Sequence, residues 1–165
     1  MSPHLAAVRA KVGHDLLTLT SASVSVFDAQ GRLLLAEEAD TGLWAIPGGA
    51  IDPDEQAADA AVRECWEETG LLVAITRLVG VFGGPKFRVT YPNGDVSYYT
   101  TIAFAAREIG GSHKPDGVEM VKLRYFTKAE CEGLAISPPS RIIAERAFEQ
   151  NDTPYFAAPT WSPQS

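Results

Sequence analysis

The segment Gly49 to Leu71, GAIDPDEQAADAAVRECWEETGL, constrains this chain most. It follows the turn Pro47-Gly48, carries helix-start signals at Asp52, Pro53 and Asp54, and closes on Gly70. Proline and aspartate suit a first helical turn, and a glycine just past the last turn ends a helix. The pattern predicts a helix over Ala57 to Thr69. On such a helix Glu64, Glu67 and Glu68 share a face, at i, i+3 and i+4, with Ala57, Ala60 and Ala61 on the same side. Ala58, Val62, Cys65 and Thr69 form a neighbouring stripe suited to a core. Trp66 falls opposite the acidic edge, where it packs or is exposed.

Three clustered carboxylates repel one another, by roughly a few tenths of a kcal/mol per exposed pair and more when desolvated. Something should offset that repulsion. Hard oxygen ligands suit Mg²⁺ or Mn²⁺. The competing reading of E-x-x-E-E alone is a solvated acidic helix face. The glycine-rich turn before the helix and Arg63 within it weigh against that reading.

The charge balance agrees. The 165 residues carry 14 Lys and Arg against 21 Asp and Glu, a formal net charge of −7. Seven of those acids and only Arg63 among the bases lie between Gly49 and Leu71. Most of the imbalance is therefore the charge of one motif. The acid excess argues against a nucleic-acid-backbone binder, since no basic stripe is present. It fits a phosphate-binding protein only if cations intervene. A chain of this length forms one ordinary domain that buries roughly 70% of its unfolded surface. Two cysteines, Cys65 and Cys131, are too few for a disulfide framework, and a reduced, cytoplasmic chain is expected. The N-terminus shows no signal-peptide pattern, and no apolar run approaches the roughly 20 residues that span a bilayer. Neither secretion nor membrane insertion is expected.

Ser2 and Pro3 start a short helix through Val12 that Gly13 ends. Strands are expected at Leu19–Phe27, Arg32–Ala36, Leu71–Phe82, Phe87–Tyr91, Val96–Ala106 and Val118–Phe126. Asn93-Gly94 is a hairpin signal. Thr127 with Glu130 is a capping box, and Pro139–Phe148 is the last helix. Strands interleaved with helices, several joined by hairpins, predict an α/β domain: a mixed sheet with helices on its faces. Neither GxGxxG nor GxxxxGK[ST] occurs, which removes the usual dinucleotide and P-loop readings. The expected organisation is a helical extension over 1–16, a domain over 17–149 and a Pro/aromatic tail over 150–165.

The segment resembles the Nudix box, G-x5-E-x7-R-E-U-x-E-E-x-G-U with U apolar. The matching residues are Gly49, Glu55, Arg63, Glu64, Glu67, Glu68, Gly70 and Leu71, with Cys65 at the first apolar position. At ordinary residue frequencies a chance match is on the order of 10⁻⁸ per starting point. The lead-in Trp44-Ala-Ile-Pro47-Gly48-Gly49 and the strand end Arg124-Tyr125-Phe126 look like their counterparts in that family. The resemblance implies an α/β/α sandwich and a metal-dependent pyrophosphohydrolase. Its substrate would be a nucleoside diphosphate linked to another moiety (NDP-X), ADP-ribose-like, or a nucleoside triphosphate. By position, Glu64, Glu67 and Glu68 look like metal carboxylates for Mg²⁺, with Mn²⁺ as a substitute and the Gly48 carbonyl as a further ligand. Gly49, Glu55 and Gly70 look structural. Arg63 would orient a catalytic glutamate, through Glu55. Glu64 is the first choice for general base, with Glu68 and Glu119 as rivals. Glu119 is the candidate for an acid supplied by a later loop, and Asp116 the second. A Nudix-fold module that senses a nucleotide without hydrolysing it is the alternative.

Outside the box, Lys86 and Arg88 are candidates for a substrate phosphate or carboxylate, against an ordinary solvated basic pair. Tyr91, Phe82 and Phe87 stack on a base or belong to the core. Trp44 is expected to pack behind the glycine-rich loop. His4, His14 and His113 are scattered and take no role. Tyr155, Phe156 and Trp161 sit among prolines in the tail, which docks on the domain, docks on a second subunit or is a disordered end. The tail and the Asn93 hairpin predict a homodimer.

Overall fold

The computed structural model describes residues 2–163. Its centre is β1 (Leu17–Phe27). Alternation along this strand sends Ala22, Val24 and Val26 to one face and Ser21, Ser23 and Ser25 to the other, all buried. A strand covered on both faces reads as a continuous buried run, which suits parallel pairing. It pairs in parallel with β7 (Val96–Gly111), from Leu17 opposite Ser97 to Phe27 opposite Arg107. Strand β5 (Leu71–Phe82) runs antiparallel along the far side of β7.

The other edge of β1 is shared. Phe27 pairs with Leu33 of β2 (Leu33–Glu38), whereas Ser21, Ala22 and Ser23 pair with β4 (Gly48–Ala50). The turn between β1 and β2 is held by the Asp28 carboxylate, which accepts from the N–H groups of Gln30 and Arg32, each at 2.9 Å. Strand β2 also carries β3 (Trp44–Ala45) and β8 (Met120–Phe126), and β6 (Arg88–Thr90) lies on β7. The site is built where the β1 edge divides between β2 and β4.

Two apolar layers cover this sheet. Helix α2 (Ala57–Thr69) buries Ala60, Ala61 and Cys65 against Ala22, Val24, Val26, Leu34 and Leu71. On the opposite face α3 (Lys128–Glu132) and α4 (Pro138–Phe148) cover Leu33, Leu35, Val79, Phe82, Phe87 and Phe126. The alternation of Leu34 with Leu33 and Leu35 between the layers is the period of a strand. The architecture is the expected α/β/α sandwich with a mixed sheet. The remaining helix, α1 (Pro3–Val12), is capped by the Ser2 hydroxyl and pinned to the Asn93 hairpin by Arg9. That guanidinium donates to the Val96 carbonyl at 2.7 Å and the Ser97 hydroxyl at 2.9 Å. No described helix is long and apolar enough to cross a membrane.

Several boundaries differ from expectation, each for a local reason. Residues Asp52 to Asp54 form a turn ahead of α2 instead of its cap, with the Asp52 N–H donating to Glu55 Oε2 at 3.1 Å. Phe87 lies in a 3-10 turn, Pro85–Phe87, and is buried in the core with Phe82. Strand β8 starts at Met120 rather than Val118, because the Asp116 carboxylate accepts the N–H groups of Val118, Glu119 and Met120 and folds them into a turn. Trp44 packs edge-on against Phe126 at 4.8 Å between ring centroids. The capping box of Thr127 and Glu130 is present at α3.

The tail docks on its own chain. The Tyr155 N–H donates to the Val79 carbonyl at 2.8 Å, and its carbonyl accepts from Val81 at 2.9 Å. Its ring stacks on Phe82 at 5.0 Å under the Arg146 guanidinium. Phe156 and Trp161 remain 73% and 82% exposed. A Cβ at Gly80 would run into the Tyr155 backbone. Gly80→Ala should therefore undock the tail and destabilise the domain by about 1–3 kcal/mol. Urea denaturation with limited proteolysis of the C-terminal segment checks this, and an unchanged midpoint with a protected tail contradicts it.

Candidate active site

Strand β4 approaches α2 without side chains in the way. A Cβ at Gly49 would lie 2.5 Å from Glu64 Oε1. A Cβ at Gly48 would run into Ala22 and Ser23 of β1. Glycine at 49 lets the backbone meet a helix carboxylate directly, and glycine at 48 lets β4 lie close on β1. The Gly48 N–H donates to Glu68 Oε2 at 3.1 Å. Glu68 is only 5% exposed, and Glu64 sits half-buried beside it on the same wall.

Arg63 gathers the motif's other acids. Its Nε and Nη2 donate to the two Glu55 oxygens at 2.8 and 2.9 Å, a bidentate pair. Its Nη1 donates to Glu64 Oε1 at 2.8 Å and to Glu67 Oε2 at 3.2 Å, and Nη2 reaches the Ala50 carbonyl at 3.2 Å. The guanidinium thus ties the loop before α2, the last residue of β4 and the helix together. Hydrogen bonds from Arg63 hold the Glu55 carboxyl below the usual range, and Glu55 holds the Arg63 proton more firmly still.

The three helix glutamates are not equivalent. Glu64 and Glu68 turn inward, and the Glu67 side chain is 57% exposed. This corrects the expectation of a uniform triple-carboxylate edge: Ala60, Ala61 and Glu68 belong to the buried face of the helix. Desolvation raises the Glu64 carboxyl, partly offset by Arg63, with the charges of Glu67 and Glu119 adding to the rise. Desolvation raises Glu68 well above its ordinary value. Glu64, Glu119 and Asp116 add to that rise, and the Gly48 N–H opposes it. Glu119 thus lies within electrostatic reach of both buried acids.

Tyr91 lies within electrostatic reach of Glu119. Its hydroxyl meets that of Tyr99 at 2.7 Å. Loss of water, then Tyr99, Glu38 and Glu119, holds its phenol above the ordinary range. Arg88 is placed differently. Opposite residues of an antiparallel pair project from the same face. Arg88 pairs with Tyr98, one residue out of phase with Tyr99. The expected trio of Lys86, Arg88 and Tyr91 is therefore split, with Tyr91 alone sharing a hydroxyl pair near the acids. Lys86 and Arg88 are exposed.

Sequence reasoning missed Tyr99, Glu38 and the backbone donor at Gly48. The alternation Tyr91 and Tyr99 across the hairpin was the available signal for the first. Nothing in residue identity marked the Gly48 N–H. Gly70 plays the part expected of it, closing α2 with φ +70° and its N–H on the Trp66 carbonyl at 2.9 Å.

Among the described residues no three His, Cys, Asp or Glu side chains converge as they stand to hold a metal ion. Arg63 occupies one oxygen of Glu64 and of Glu67, and Gly48 occupies one of Glu68. The donor chemistry nevertheless fits a hard divalent cation. All the donors are oxygens, and the two inward acids carry charge that Arg63 alone does not offset.

Comparison with known proteins gives the family. The NUDIX domain matches residues 17–145, and the chain belongs to that family. A protein of Bacillus subtilis (strain 168), provisionally named an 8-oxo-dGTP diphosphatase, is 36% identical over 106 residues. That alignment covers 64% of this chain and 64% of the Bacillus protein, just under two thirds of its length. Among solved structures, a MutT NUDIX hydrolase from Burkholderia pseudomallei has a TM-score of 0.66 at 21% identity, covering 79% of this chain and 98% of that one. An ADP-ribose pyrophosphatase from Streptococcus suis has a TM-score of 0.63 at 24% identity, covering 83% and 96%. At those identities the likeness is one of fold.

The elevated Glu68 carboxyl has a consequence for stability. Its folded value lies above the ordinary 4.5, so the folded state keeps a proton at pH values where the unfolded chain has lost it. The contribution of Glu68 to metal-free stability should therefore fall as pH rises from about 4.5 through the folded value, and level off above it, against the carboxyls such as Glu55 that are held low and contribute the opposite slope. Glu68→Gln keeps an acceptor for Gly48 and removes the charge. It should be more stable than the parent at neutral pH by about 1–3 kcal/mol, the difference shrinking in acid. Urea melts in EDTA across pH check this; a variant less stable at every pH contradicts it.

Proposed function

We propose that this protein is a Mg²⁺-dependent pyrophosphohydrolase acting on a nucleotide whose phosphates are joined by an anhydride bond. The observation that carries the reading is the pair of inward carboxylates, Glu64 and Glu68, held against Gly48 and Gly49 with Arg63 clamped to Glu55 beside them. Such an arrangement stores negative charge where a polyphosphate and its counter-cations meet.

Glu64, Glu67, Glu68 and the Gly48 carbonyl would hold the cation, with Glu119 as the acid from the later loop. When bound, Mg²⁺ would supply charge neutralisation at the phosphates and a more acidic water. The chain's own residues do the rest. Glu64 accepts the proton of the attacking water, its carboxylate oriented by Arg63 at 2.8 Å. Glu55 keeps Arg63 in place through two hydrogen bonds, so one residue sets the orientation of the base. Tyr91 and Tyr99 present a donor–acceptor pair to the sugar or base. Attack at one phosphorus forms a P–O bond to water oxygen, breaks the anhydride P–O bond and releases a phosphomonoester.

The substrate class is an NDP-X compound, ADP-ribose-like, or a nucleoside triphosphate. The names of the similar Bacillus and Streptococcus proteins fall in the same chemistry. The exposed Phe156 and Trp161 favour assembly as a homodimer.

Glu67→Gln and Glu68→Gln should each lower kcat by about a hundredfold or more and weaken the Mg²⁺ dependence. The measurement is phosphomonoester release from a panel of nucleotides at fixed Mg²⁺. Unchanged rates in both variants overturn the assignment. Mg²⁺-linked nucleotide binding without turnover by the parent would point instead to a nucleotide-sensing module.

A further inference from the structure

The segment between β7 and β8 is built as a brace. Ser112 donates its N–H to the Gly70 carbonyl at 2.9 Å, Lys114 to Thr69 at 2.9 Å and Asp116 to Glu68 at 3.3 Å. These are carbonyls at the C-terminal end of α2, which lack partners inside a helix. The segment therefore follows α2 wherever α2 goes. At its end the Asp116 side chain turns back on the chain. Oδ1 accepts from Val118 and Glu119 at 3.1 Å each and from Met120 at 2.8 Å, and Oδ2 accepts from Glu119 at 3.2 Å. Gly117, at φ +75°, closes the turn with its N–H on the Met120 carbonyl at 2.9 Å. Glu119 is then fixed from both sides of its backbone, since its carbonyl accepts from Ala39 at 2.9 Å.

We propose that Asp116 is the positioning residue that sets Glu119 against the Glu64–Glu68 pair, acting through its hydrogen bonds rather than as an acid of the site. The inference rests on the reading of Glu119 given above. Asp116 has both oxygens engaged by backbone donors, which fits a structural acceptor. Its neighbour three residues on has a side chain in electrostatic reach of both buried acids. The brace couples the two: the N–H of Asp116 itself is bonded to the carbonyl of Glu68, so one residue registers the turn on the helix that carries the cluster.

Two substitutions separate geometry from charge. Asp116→Asn keeps the oxygen that accepts from Val118, Glu119 and Met120, gives up only the longer second bond to Glu119, and removes the charge. Asp116→Glu keeps the charge and moves the acceptor by one methylene. In full-length, metal-free protein, amide hydrogen exchange at Glu119 and Met120 should stay near the parent's in Asp116→Asn and speed up about tenfold or more in Asp116→Glu. In turnover with Mg²⁺, Asp116→Glu should lower kcat and raise the Mg²⁺ requirement as Glu119→Gln does, and should add nothing further to Glu119→Gln in the double variant. Equal losses in the two Asp116 variants, the reverse order, or an additive double variant overturn the proposal. If Glu119→Gln itself leaves turnover unchanged, the role of Glu119 falls. Amide exchange then decides the positioning claim alone, retained protection in Asp116→Glu overturning it.

Discussion

Helix α2 keeps two carboxylates inside the fold because β4 meets it with bare backbone. Gly49 leaves the space that the Glu64 carboxylate fills, and Gly48 supplies the N–H that Glu68 accepts. A side chain at Gly49 would push strand and helix apart, and one at Gly48 would push β4 off β1. The close approach in turn depends on β4 pairing with β1 at Ser21 to Ser23, next to where β2 leaves that strand. The division of one sheet edge between two strands makes the wall on which the acids stand.

That wall carries a conflict. Burial and mutual repulsion both work against the ionised forms of Glu64 and Glu68. Arg63 offsets part of this, but its strongest geometry is spent on Glu55, outside the buried pair. The rest of the structure holds the conflict in place. Ala60, Ala61 and Cys65 anchor the helix on the sheet, and the loop after β7 ties its C-terminal end. A site that is destabilised as a metal-free anion cluster is one with most to gain from a divalent cation. Residues that weaken the apo fold are the ones to which the reaction is assigned.

Much of this was legible in the residues. The stop of α2 at Gly70, the hairpin at Asn93 and the capping box at Thr127 follow from local signals that the tertiary structure did not override, whereas the start signals at Asp52 to Asp54 form a separate turn. The box spacing pointed to the acids on α2 and to Arg63. Helical periodicity alone placed Glu64, Glu67 and Glu68 together, but it could not say which way the helix rolls on its sheet. That roll comes from packing of Ala60, Ala61 and Cys65, and it sends Glu68 inward and Glu67 outward. The start of β8 was misplaced because a side chain, Asp116, competes with the ladder for three N–H groups. Backbone contributions, the Gly48 donor above all, have no signature in residue type. Arg88 and Tyr91 are three residues apart, so strand alternation alone already divides them, and the register of β6 on β7 decides only that Arg88 lies opposite Tyr98.

These acids are proposed to serve a cation-dependent attack of water on a phosphorus. The most direct measurement is hydrolysis of an NDP-X compound in ¹⁸O-labelled water, with Mg²⁺ and with EDTA, followed by mass analysis of both products. One phosphomonoester product should carry a single ¹⁸O and form only with the cation. Absence of product across the panel, or label incorporated equally in EDTA, would contradict it.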